Sequence, residues 1–584
     1  MQKLRQWFTL SFLLLIFFAS SWSLLVTDQF FRVHDFTHAG RIAEMSRALQ
    51  DGHFPVRWTS NFGYGYGMPL FEFYGPLPFY VGSLVFILFG NVILSIKFLY
   101  LLSNLGTLLG GYVLGKKLFG KTGGILMSAF LTLAPYRAMN LFARGALNEV
   151  WGIMFLPWIL FGLIKIFHQE KNGWQTFFFS LVGLFLSHNI TTMIFVPALA
   201  IFALAYYFYM YWQKSPEIFR KGRFRPRNIL RIAWQMFFGG ILAIGASSFY
   251  LIPAFLEKGY TQVEKIILTP YFDYHLHFLY IRQFFNPKWG YGGSEWGVSD
   301  GISFFLGWGQ LLALLALVFF WATALFKQVF KKKKIITQKI FFFTFLFAFI
   351  FLITTLMSLL KTQFIWDKIE LFKFIQFPWR WMSISILFFS LMLASKTWLI
   401  KNVVIRSWLV GICVVITAFG AVGFFRPEEY LDDSNDFYYT DPMRIRKELS
   451  GILPDYISTD MVEKPTLIPE ELVISQHEQE VIVLADRTHE KLIKTNFKTD
   501  EKLELAVANY PGWSAKIDDQ WWNKEKGEQG NIMINVPSGS HLLSLRFENT
   551  PLRNWADLVS LFSWLLFIYL VFPAKKITKK LEIK

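Results

Sequence analysis

The chain has almost no cysteine. Its 584 residues include one, Cys413, inside an apolar run. A single cysteine forms no intrachain disulfide, so parts outside a membrane must be held by packing, and thiol redox chemistry is disfavoured. The sequence also lacks a Gly-x-Ser-x-Gly motif, a Walker phosphate loop and a CxxC pair. It shows no repeat of about 20–50 residues, which argues against a solenoid.

Charged residues are scarce as well. They form 17% of the chain, whereas apolar residues form 54%, and several apolar runs exceed 18 residues. About 20 apolar residues suffice for a helix to cross a bilayer, so the sequence predicts a polytopic membrane protein. The first run, residues 7–27, is expected to be an uncleaved anchor rather than a signal peptide. It is long, and the small-residue cleavage sites within it are weak.

The net charge of +17 is unevenly distributed. Residues 425–555 carry 24 acidic and 15 basic side chains, whereas the rest of the chain carries 17 acidic and 43 basic ones. The basic excess lies in short clusters between apolar runs, as orientation signals do. We therefore expect a lipid bilayer as a partner, and no nucleic acid.

Placing every basic cluster in the cytoplasm predicts the topology. The clusters are Lys3/Arg5, Lys116/Lys117/Lys121, Lys165/Lys171, Arg220–Arg231, Lys327–Lys339, Lys396/Lys401/Arg406 and Lys575–Lys580. Twelve helices with both termini inside then satisfy the rule, over residues 7–27, 92–115, 122–141, 150–167, 174–188, 190–212, 232–254, 301–326, 340–360, 378–396, 407–425 and 556–573. The run Pro78–Gly90 is too short to cross comfortably and is predicted to be re-entrant or interfacial.

The predicted fold is mainly α, with about 12 transmembrane helices and a small extracytoplasmic β domain near the C-terminus. Residues 1–424 form the transmembrane module, with a first external loop at 28–91. Residues 425–555 form the β-rich domain, because EVIVLADRT, KLELAVANY, NIMINVPSG and HLLSLRFEN alternate and are separated by turn signals. Residues 556–584 form the last helix and a basic cytoplasmic tail.

One group of polar residues follows the first helix. It comprises His34, Asp35, His38, Arg41 and Glu44. A helix beginning near Asp35 would lie in the membrane interface with its polar side toward a cavity. An aspartate beside histidine and arginine suits a general base or a metal ligand. The alternative is an N-cap aspartate with solvated neighbours.

Further polar residues fall at the predicted outer ends of helices. Arg144 and Glu149 are functional candidates or an interfacial ion pair. His188 and Asn189 could bind a phosphate or end a helix. Arg380, in FPWRW, could hold a lipid phosphate or anchor the helix in the interface.

An aromatic stretch lies within the first external loop. Tyr64 and Tyr66 alternate with glycines, and Glu72 follows. These rings could stack on a sugar or pack the loop onto the membrane, and no phosphate-loop context surrounds them. His275 and His277 form a candidate metal pair that lacks an evident third ligand.

Six stretches together carry a resemblance to known proteins. They are His34-Asp35 with His38, Asp51–Tyr80, Ala143–Glu149, Leu186–Asn189, Phe377–Trp381 and Asn509–Asp519. The chain resembles the GT-C superfamily of integral-membrane glycosyltransferases, which use polyprenyl-phosphate-linked sugars. It is most similar to the bacterial "6-pyruvoyl-tetrahydropterin synthase-related" membrane proteins. The pterin-synthase chemistry of that label does not carry over, since the sequence shows no zinc triad.

The resemblance implies specific roles. A carboxylate in the first external loop belongs to the active site of these enzymes, and Asp35 occupies that position. The predicted catalytic residues are Asp35, His38 and Glu149. The predicted substrate-binding residues are His34, Arg41, Tyr64, Tyr66, Glu72, Arg144, His188, Asn189 and Arg380.

The predicted reaction is the transfer of a sugar, with inversion, from a polyprenyl-phosphate donor to an acceptor in the cell envelope. Asp35 would act as base, and the acceptor would be a polymer, a glycolipid or a protein. No cofactor is required, and a divalent metal is compatible with the pattern. The expected location is the cytoplasmic membrane of a bacterium, with the active site outside. The alternatives are a lipid-linked sugar transporter or flippase and a non-catalytic scaffold that binds envelope glycans.

Overall fold

The computed structural model describes residues 2–221, 226–267, 269–330, 336–432, 436–452, 454–474 and 480–571. The predicted cluster Lys575–Lys580 lies outside these ranges, as do parts of Arg220–Arg231 and Lys327–Lys339. The α-helices are α1 (Gln2–Leu25), α2 (His38–Gln50), α3 (Leu70–Phe73), α4 (Leu77–Phe89), α5 (Val92–Thr132), α6 (Pro135–Phe142), α7 (Leu147–Phe167), α8 (Gly173–Phe185), α9 (Asn189–Lys221), α10 (Pro226–Ala246), α11 (Ser248–Leu256), α12 (Val263–Ile267), α13 (Trp308–Phe330), α14 (Gln338–Leu356), α15 (Gln363–Trp366), α16 (Met382–Ala394), α17 (Val403–Val422), α18 (Asp436–Thr440), α19 (Pro442–Arg444) and α20 (Pro551–Val571). The strands are β1 (Phe30–Phe31), β2 (Tyr430–Leu431), β3 (Val481–Arg487), β4 (Glu490–Phe497), β5 (Glu501–Ala508), β6 (Trp513–Ile517), β7 (Gln520–Trp522), β8 (Glu525–Lys526), β9 (Asn531–Val536) and β10 (Gly539–Phe547).

Helices long and apolar enough to cross a bilayer dominate the described part of the chain. Nine meet this requirement there, and the bent pair α10–α11 adds a tenth. Helix α5 covers two predicted spans, because its 41 residues are interrupted at Gly120, whose φ of 80° and ψ of −177° are not helical. Unbroken, they would extend about 60 Å, twice the hydrocarbon thickness. The remaining predicted span corresponds to α8.

The predicted mainly α membrane fold is confirmed by these helices. One boundary is wrong: the span predicted from residue 301 begins at Trp308, after Gly307 at a φ of 103°. Helix α4 has the 13 residues expected of a short apolar segment and ends at the left-handed Gly90. The number of crossings and their sidedness stay predictions.

Helices α7 and α16 form much of the buried centre, and each begins next to a charged residue of interest. Glu149 lies in the first turn of α7, and Arg380 lies in the short helix Pro378–Trp381 that leads into α16. Helix α5 packs closely on α7, since Gly106 and Gly110 face Met154 and Trp158 without room for a Cβ. Small residues at such crossings let helix backbones approach.

The helix of the first loop begins later than predicted. It starts at His38 rather than near Asp35, and Thr37 occupies the N-cap position without a side-chain hydrogen bond. The N-cap alternative for Asp35 is therefore wrong. Helix α2 is also buried on nearly all sides, so it does not lie in the membrane interface.

Two antiparallel sheets form the β region near the C-terminus. One has the strand order β3-β4-β10-β6-β7, and the other has the order β5-β9-β8. The four segments predicted from alternation coincide with β3, β5, β9 and β10. Between residues 425 and 480, the described ranges contain only short helices, irregular chain and the two-residue strand β2. The extended strands thus occupy only the second half of the predicted 425–555 domain.

The C-terminal region packs directly on the first loop, residues 28–91. The Arg446 Nε donates to Asn61 Oδ1 at 2.9 Å. The Ala508 amide donates to the Tyr66 carbonyl at 2.7 Å. The first loop therefore lies between the helical module and the β region.

Candidate active site

Backbone hydrogen bonds fix the position of Asp35. Strand β1 pairs with β2, with Phe30 opposite Leu431. Just beyond β1, the His34 amide donates to the Ala143 carbonyl at 3.1 Å, and the Asp35 amide donates to the Arg144 carbonyl at 2.8 Å. The first loop is thereby attached to residues 142–149, the second loop.

Gly145 makes this close approach geometrically feasible. Its φ is 68°, in the left-handed region. A Cβ at this position would lie 2.6 Å from the Val33 side chain. The glycine of ARGALNE is therefore required both by its backbone conformation and by the neighbouring chain.

Arg144 and Glu149 form a buried ion pair. The Arg144 guanidinium lies 2.6 Å from Glu149 Oε2 and also donates to Asn140. The Glu149 Oε1 atom accepts from the Tyr136 hydroxyl at 2.6 Å. Burial lowers the pKa of Arg144, but Glu149, Tyr136 and Asp35 together outweigh this effect and raise that pKa. Arg144 is thus a permanent cation at this site.

Arg380 joins the same cluster from a distant part of the sequence. Its Nε lies 3.9 Å from Glu149 Oε2, and its terminal nitrogen donates to the Ile375 carbonyl at 2.8 Å. The Arg144 guanidinium lies 4.6 Å from the ring centre of Trp379, the residue before Arg380. One carboxylate therefore serves two arginines, which leaves a local excess of positive charge.

His188 lies within electrostatic reach of Glu149 and both arginines. Its Nδ1 accepts from the Thr191 amide at 3.2 Å, so a proton on the neutral ring would lie on Nε2. Asn189 points elsewhere and donates to the Tyr250 hydroxyl at 2.7 Å. The LSHN motif therefore contributes His188 to the cluster, while Asn189 makes a packing contact.

The Asp35 carboxylate is the distinctive group of this site. The side chain is half-buried, and its oxygens accept no hydrogen bond from any residue in the described part of the chain. Arg144 and Arg380 nevertheless lie within reach of its charge. A carboxylate without a protein partner beside two cations is available to accept a proton from a ligand.

His38 and Arg41 lie on α2, three and six positions after Asp35. His38 is buried, and its pKa is held well below the ordinary value by burial and by the neighbouring Arg41. The Arg41 guanidinium lies 4.4 Å from the ring centre of Tyr74. Burial raises the pKa of Tyr74 to about 12. His38 is thus neutral and contacts Arg41 rather than open space.

Asp455 is a site residue that the sequence did not reveal. Burial raises its pKa to about 6, while Arg41 opposes the shift and the Asp35 charge adds to it. Asp455 thus places a second carboxyl group in the electrostatic field of Asp35. The available signal was a lone aspartate in the apolar stretch ILPDYI, which sequence reasoning passed over.

Three other predicted site residues have contacts elsewhere. His34 is exposed, and its Nε2 bonds the Tyr291 carbonyl at 2.8 Å. Tyr64 and Tyr66 are buried against the C-terminal region, where the Tyr66 hydroxyl donates to the Leu467 carbonyl at 3.3 Å. The two tyrosines therefore pack the first loop onto the C-terminal region rather than onto the membrane.

Glu72 belongs to a second buried cluster. It accepts from the Tyr510 hydroxyl at 3.1 Å and from Arg553 at 3.2 Å, and Arg553 also pairs with Glu257 at 2.8 Å. Burial raises the pKa of Glu72 to about 8, even though the Arg553 guanidinium lowers it, and a hydrogen bond to Glu257 adds to the rise. Glu72 thus joins α20 and the β region to the first loop.

The two candidate metal ligands have separate partners. His275 bonds Asp273 and Asp367, whereas His277 bonds Ser294 and the Tyr271 carbonyl. Within the described ranges, no group of three or more His, Cys, Asp or Glu side chains has metal-binding geometry.

Comparisons with known proteins bear on the helical module. Residues 74–220 match the family model of dolichyl-phosphate-mannose-protein mannosyltransferases, a range that includes Arg144, Glu149 and His188. A protein of Lactococcus lactis subsp. cremoris (strain MG1363), described as uncharacterized, is 27% identical over 266 residues, which is 42% of this chain and 40% of that protein.

A solved structure is also similar. It is the cryo-EM structure of the arabinofuranosyltransferase AftD from Mycobacteria, with 14% identity and a TM-score of 0.42, covering 74% of this chain and 28% of that one. Together with the helical module, the mannosyltransferase match supports a membrane glycosyltransferase of the GT-C type.

Proposed function

We propose that this chain transfers a sugar from a polyprenyl-phosphate donor to an acceptor hydroxyl, with Asp35 as general base. The observation that carries the proposal is the carboxylate of Asp35, which has no hydrogen-bond donor in the described part of the chain and lies beside Arg144 and Arg380. Four separated motifs meet there: His34-Asp35, ARGALNE, LSHN and FPWRW.

The proposed reaction is one displacement. The acceptor oxygen attacks the anomeric carbon, while the bond from that carbon to the phosphate oxygen breaks. The bonding electrons leave with the phosphate, and the hydroxyl proton passes to Asp35. A single displacement inverts the anomeric carbon, and such proton transfer typically contributes about 10²–10⁴-fold to the rate.

Arg144, Arg380 and His188 would stabilise the leaving phosphate. Glu149 neutralises only one of the two arginines and fixes both in place. Cations that are positioned before the reaction stabilise developing charge without reorganisation. Glu149 would therefore act as a positioning residue rather than as a second base.

The acceptor would bind on the side of Asp35 that is formed by His38, Arg41 and Asp455. The neutral His38 contacts Arg41, which lies within charge reach of both Asp35 and Asp455. The close resemblance to the pterin-synthase-related membrane proteins is compatible with these roles and adds no chemistry to them.

The charge distribution favours the outer face of a bacterial cytoplasmic membrane for this reaction, because every basic cluster is then cytoplasmic. Arg144, Glu149, His188 and Arg380 all lie at or next to a helix terminus, and none lies in mid-span. A transporter would need charged groups along a path through the bilayer. A polar centre confined to helix ends favours transfer at the membrane surface.

The direct test supplies purified protein with labelled polyprenyl-phosphate sugars and a cell-envelope extract. We expect Asp35→Asn to transfer the sugar about 100-fold or more slowly than the parent, since a proton-accepting group is removed. Asp28→Asn is the matched control, because Asp28 is exposed and lies only seven positions earlier.

Thermal unfolding of both variants in detergent separates chemistry from folding. We expect their transition temperatures to match that of the parent protein, because the Asp35 side chain bonds no described residue. Transfer by Asp35→Asn at the parental rate would contradict the base assignment. A scaffold that only binds glycans would show no transfer by the parent with any donor.

A further inference from the structure

A cleft of about 560 Å³ opens between residues 270–274 and 366–373. Three aromatic rings line it, together with charged side chains: Phe272, Tyr274, Trp366, Asp367, Glu370 and Lys373. We propose that this cleft binds the sugars of the acceptor next to the one that is glycosylated. The assignment to an acceptor rests on the proposed function, whereas carbohydrate binding by the cleft can be measured without it.

The aromatic wall of the cleft is rigid. Tyr274 stacks on Trp366, with ring centres 5.4 Å apart and planes 29° apart. Trp366 is buried, and its indole N–H donates to the Met357 carbonyl at 3.1 Å. His275 also stacks on Tyr274, with ring centres 4.1 Å apart, so the accessible parts of Tyr274 and Phe272, rather than the face of Trp366, would contact a sugar ring. Little side-chain freedom would be lost on binding.

The polar groups of the cleft are held in fixed directions. His275 bonds Asp273 Oδ1 at 2.6 Å and Asp367 Oδ1 at 3.1 Å, and so it joins the two sides of the cleft. The Tyr274 hydroxyl donates to the same Asp367 oxygen at 2.9 Å. These contacts use one oxygen of each aspartate and leave the other free to accept hydrogen bonds from sugar hydroxyls.

The charge of the cleft argues against a lipid phosphate as its ligand. Asp273, Asp367 and Glu370 outnumber Lys373 among the lining residues. A phosphate would be repelled, whereas the arginine-rich centre around Arg144 and Arg380 would attract it. The two sites therefore suit opposite ends of the reaction, with the donor phosphate at the arginines and a neutral, polyhydroxylated chain in the cleft.

Aromatic packing connects the cleft with the catalytic centre. Phe272 at the cleft lies 5.9 Å from Phe377, measured between ring centres, and Phe377 stacks on Trp379 at 4.9 Å. The Arg380 guanidinium lies 4.9 Å from the Phe377 ring centre. Tyr271, next to Phe272, lies within electrostatic reach of both Asp35 and Arg144. The cleft is therefore separated from the arginines by only a few packed side chains, which is the distance that the proposal asks a glycan of several sugars to cover.

The test measures binding of short neutral oligosaccharides, released from envelope polymers by mild acid, to Asp35→Asn protein. Using this variant separates binding from turnover. We expect Asp367→Ala to weaken the binding about tenfold. Glu264→Ala, which removes an exposed carboxylate paired with Lys258 outside the cleft, should leave it unchanged. Equal affinity of both variants, or no binding of any oligosaccharide fraction by the Asp35→Asn protein, would overturn the proposal.

Transfer assays in the Asp35-containing protein give the second readout. We expect Asp367→Ala and Tyr274→Phe to raise the acceptor KM for oligosaccharides, while the donor KM and the rate with a monosaccharide acceptor stay unchanged. A rise in the donor KM instead would assign the cleft to the lipid-linked sugar and overturn the acceptor assignment. Loss of all transfer in the parent would contradict the proposed function, while the binding result would still decide whether the cleft binds carbohydrate.

Discussion

Two buried clusters of carboxylates and arginines contact the first loop, and they differ in one respect. In the catalytic cluster, Glu149 is shared by Arg144 and Arg380, and Asp35 beside them accepts no hydrogen bond within the described chain. In the second cluster, Arg553 is shared by Glu72 and Glu257. The first has more cations than its buried carboxylate can neutralise, and the second has more carboxylates than its cation can neutralise.

This difference separates a binding site from a structural junction. Two prepositioned cations beside a carboxylate that has no hydrogen-bond partner in the described chain can stabilise an anionic group of a ligand. In the second cluster, Glu72 accepts from Tyr510 and Arg553, and Glu257 accepts from Arg553 and the Thr550 hydroxyl, so side chains of the protein occupy the site. Burial and charge alone therefore do not identify function, whereas an incomplete set of partners does.

The largest expected effect comes from breaking the catalytic cluster. Arg144→Ala leaves Glu149 buried with only the more distant Arg380, which should cost about 3–5 kcal/mol of stability. Transfer should also fall, because a cation near the leaving phosphate is lost. Arg144→Lys keeps the charge but not the forked geometry of the guanidinium. Its losses of stability and of transfer should therefore be smaller than those of Arg144→Ala. Thermal unfolding and transfer assays check both variants. Losses in Arg144→Lys as large as those in Arg144→Ala would contradict the role of the charge, and parental behaviour of Arg144→Lys would contradict a role for the guanidinium geometry.

Arg553→Ala should affect folding alone. It leaves Glu72 and Glu257 without their shared cation, at a cost of about 3–5 kcal/mol. The rate of transfer per folded molecule should stay at the parental level. Denaturant unfolding measures the loss of stability. The transfer rate is divided by the concentration of folded protein in the assay. A loss of turnover in fully folded protein would place the second cluster in the reaction.

The pH dependence of stability sharpens the comparison. The folded pKa of Glu72, about 8, lies above the ordinary value of 4.5. The folded state therefore holds a proton that the unfolded state has released, and stability falls as the pH rises from about 4.5 to about 8. The slope is at most about 1.4 kcal/mol per pH unit. Glu72→Gln should flatten the plot of unfolding temperature against pH over this window, and an unchanged slope would refute the assignment.

The smallest effect is expected for Tyr510→Phe. It removes one hydrogen bond to Glu72 and keeps the ring that packs near Trp58. The cost should be about 1 kcal/mol, the usual net value of a buried hydrogen bond. Tyr260→Phe is a matched control, since Tyr260 is partly exposed and packs edge-on against Tyr510. If Tyr510→Phe cost more stability than Arg553→Ala, the Tyr510 hydroxyl rather than the Arg553 cation would contribute most to the cluster.

The sequence predicted much of the helical module, because apolar length and basic flanks act locally. It also selected Asp35, Arg144, Glu149, His188 and Arg380, since charges at helix ends stand out against an apolar background. It did not reveal the surroundings of Glu72, Tyr64 and Tyr66. Their residue types suit a sugar site equally well, and only their contacts with residues beyond position 440 show that they pack the first loop against the C-terminal region.

By itself, the sequence determined which segments are apolar enough to cross a bilayer and which four strands alternate. The tertiary structure alone decided that Asp455 lies near Asp35, 420 positions earlier, and that the helix after Asp35 begins at His38. The physical reason is the separation along the chain over which each signal acts. Hydrophobic periodicity and positive-inside charge are read from neighbouring residues, whereas the charge around a carboxylate depends on side chains that meet only after the loops have packed.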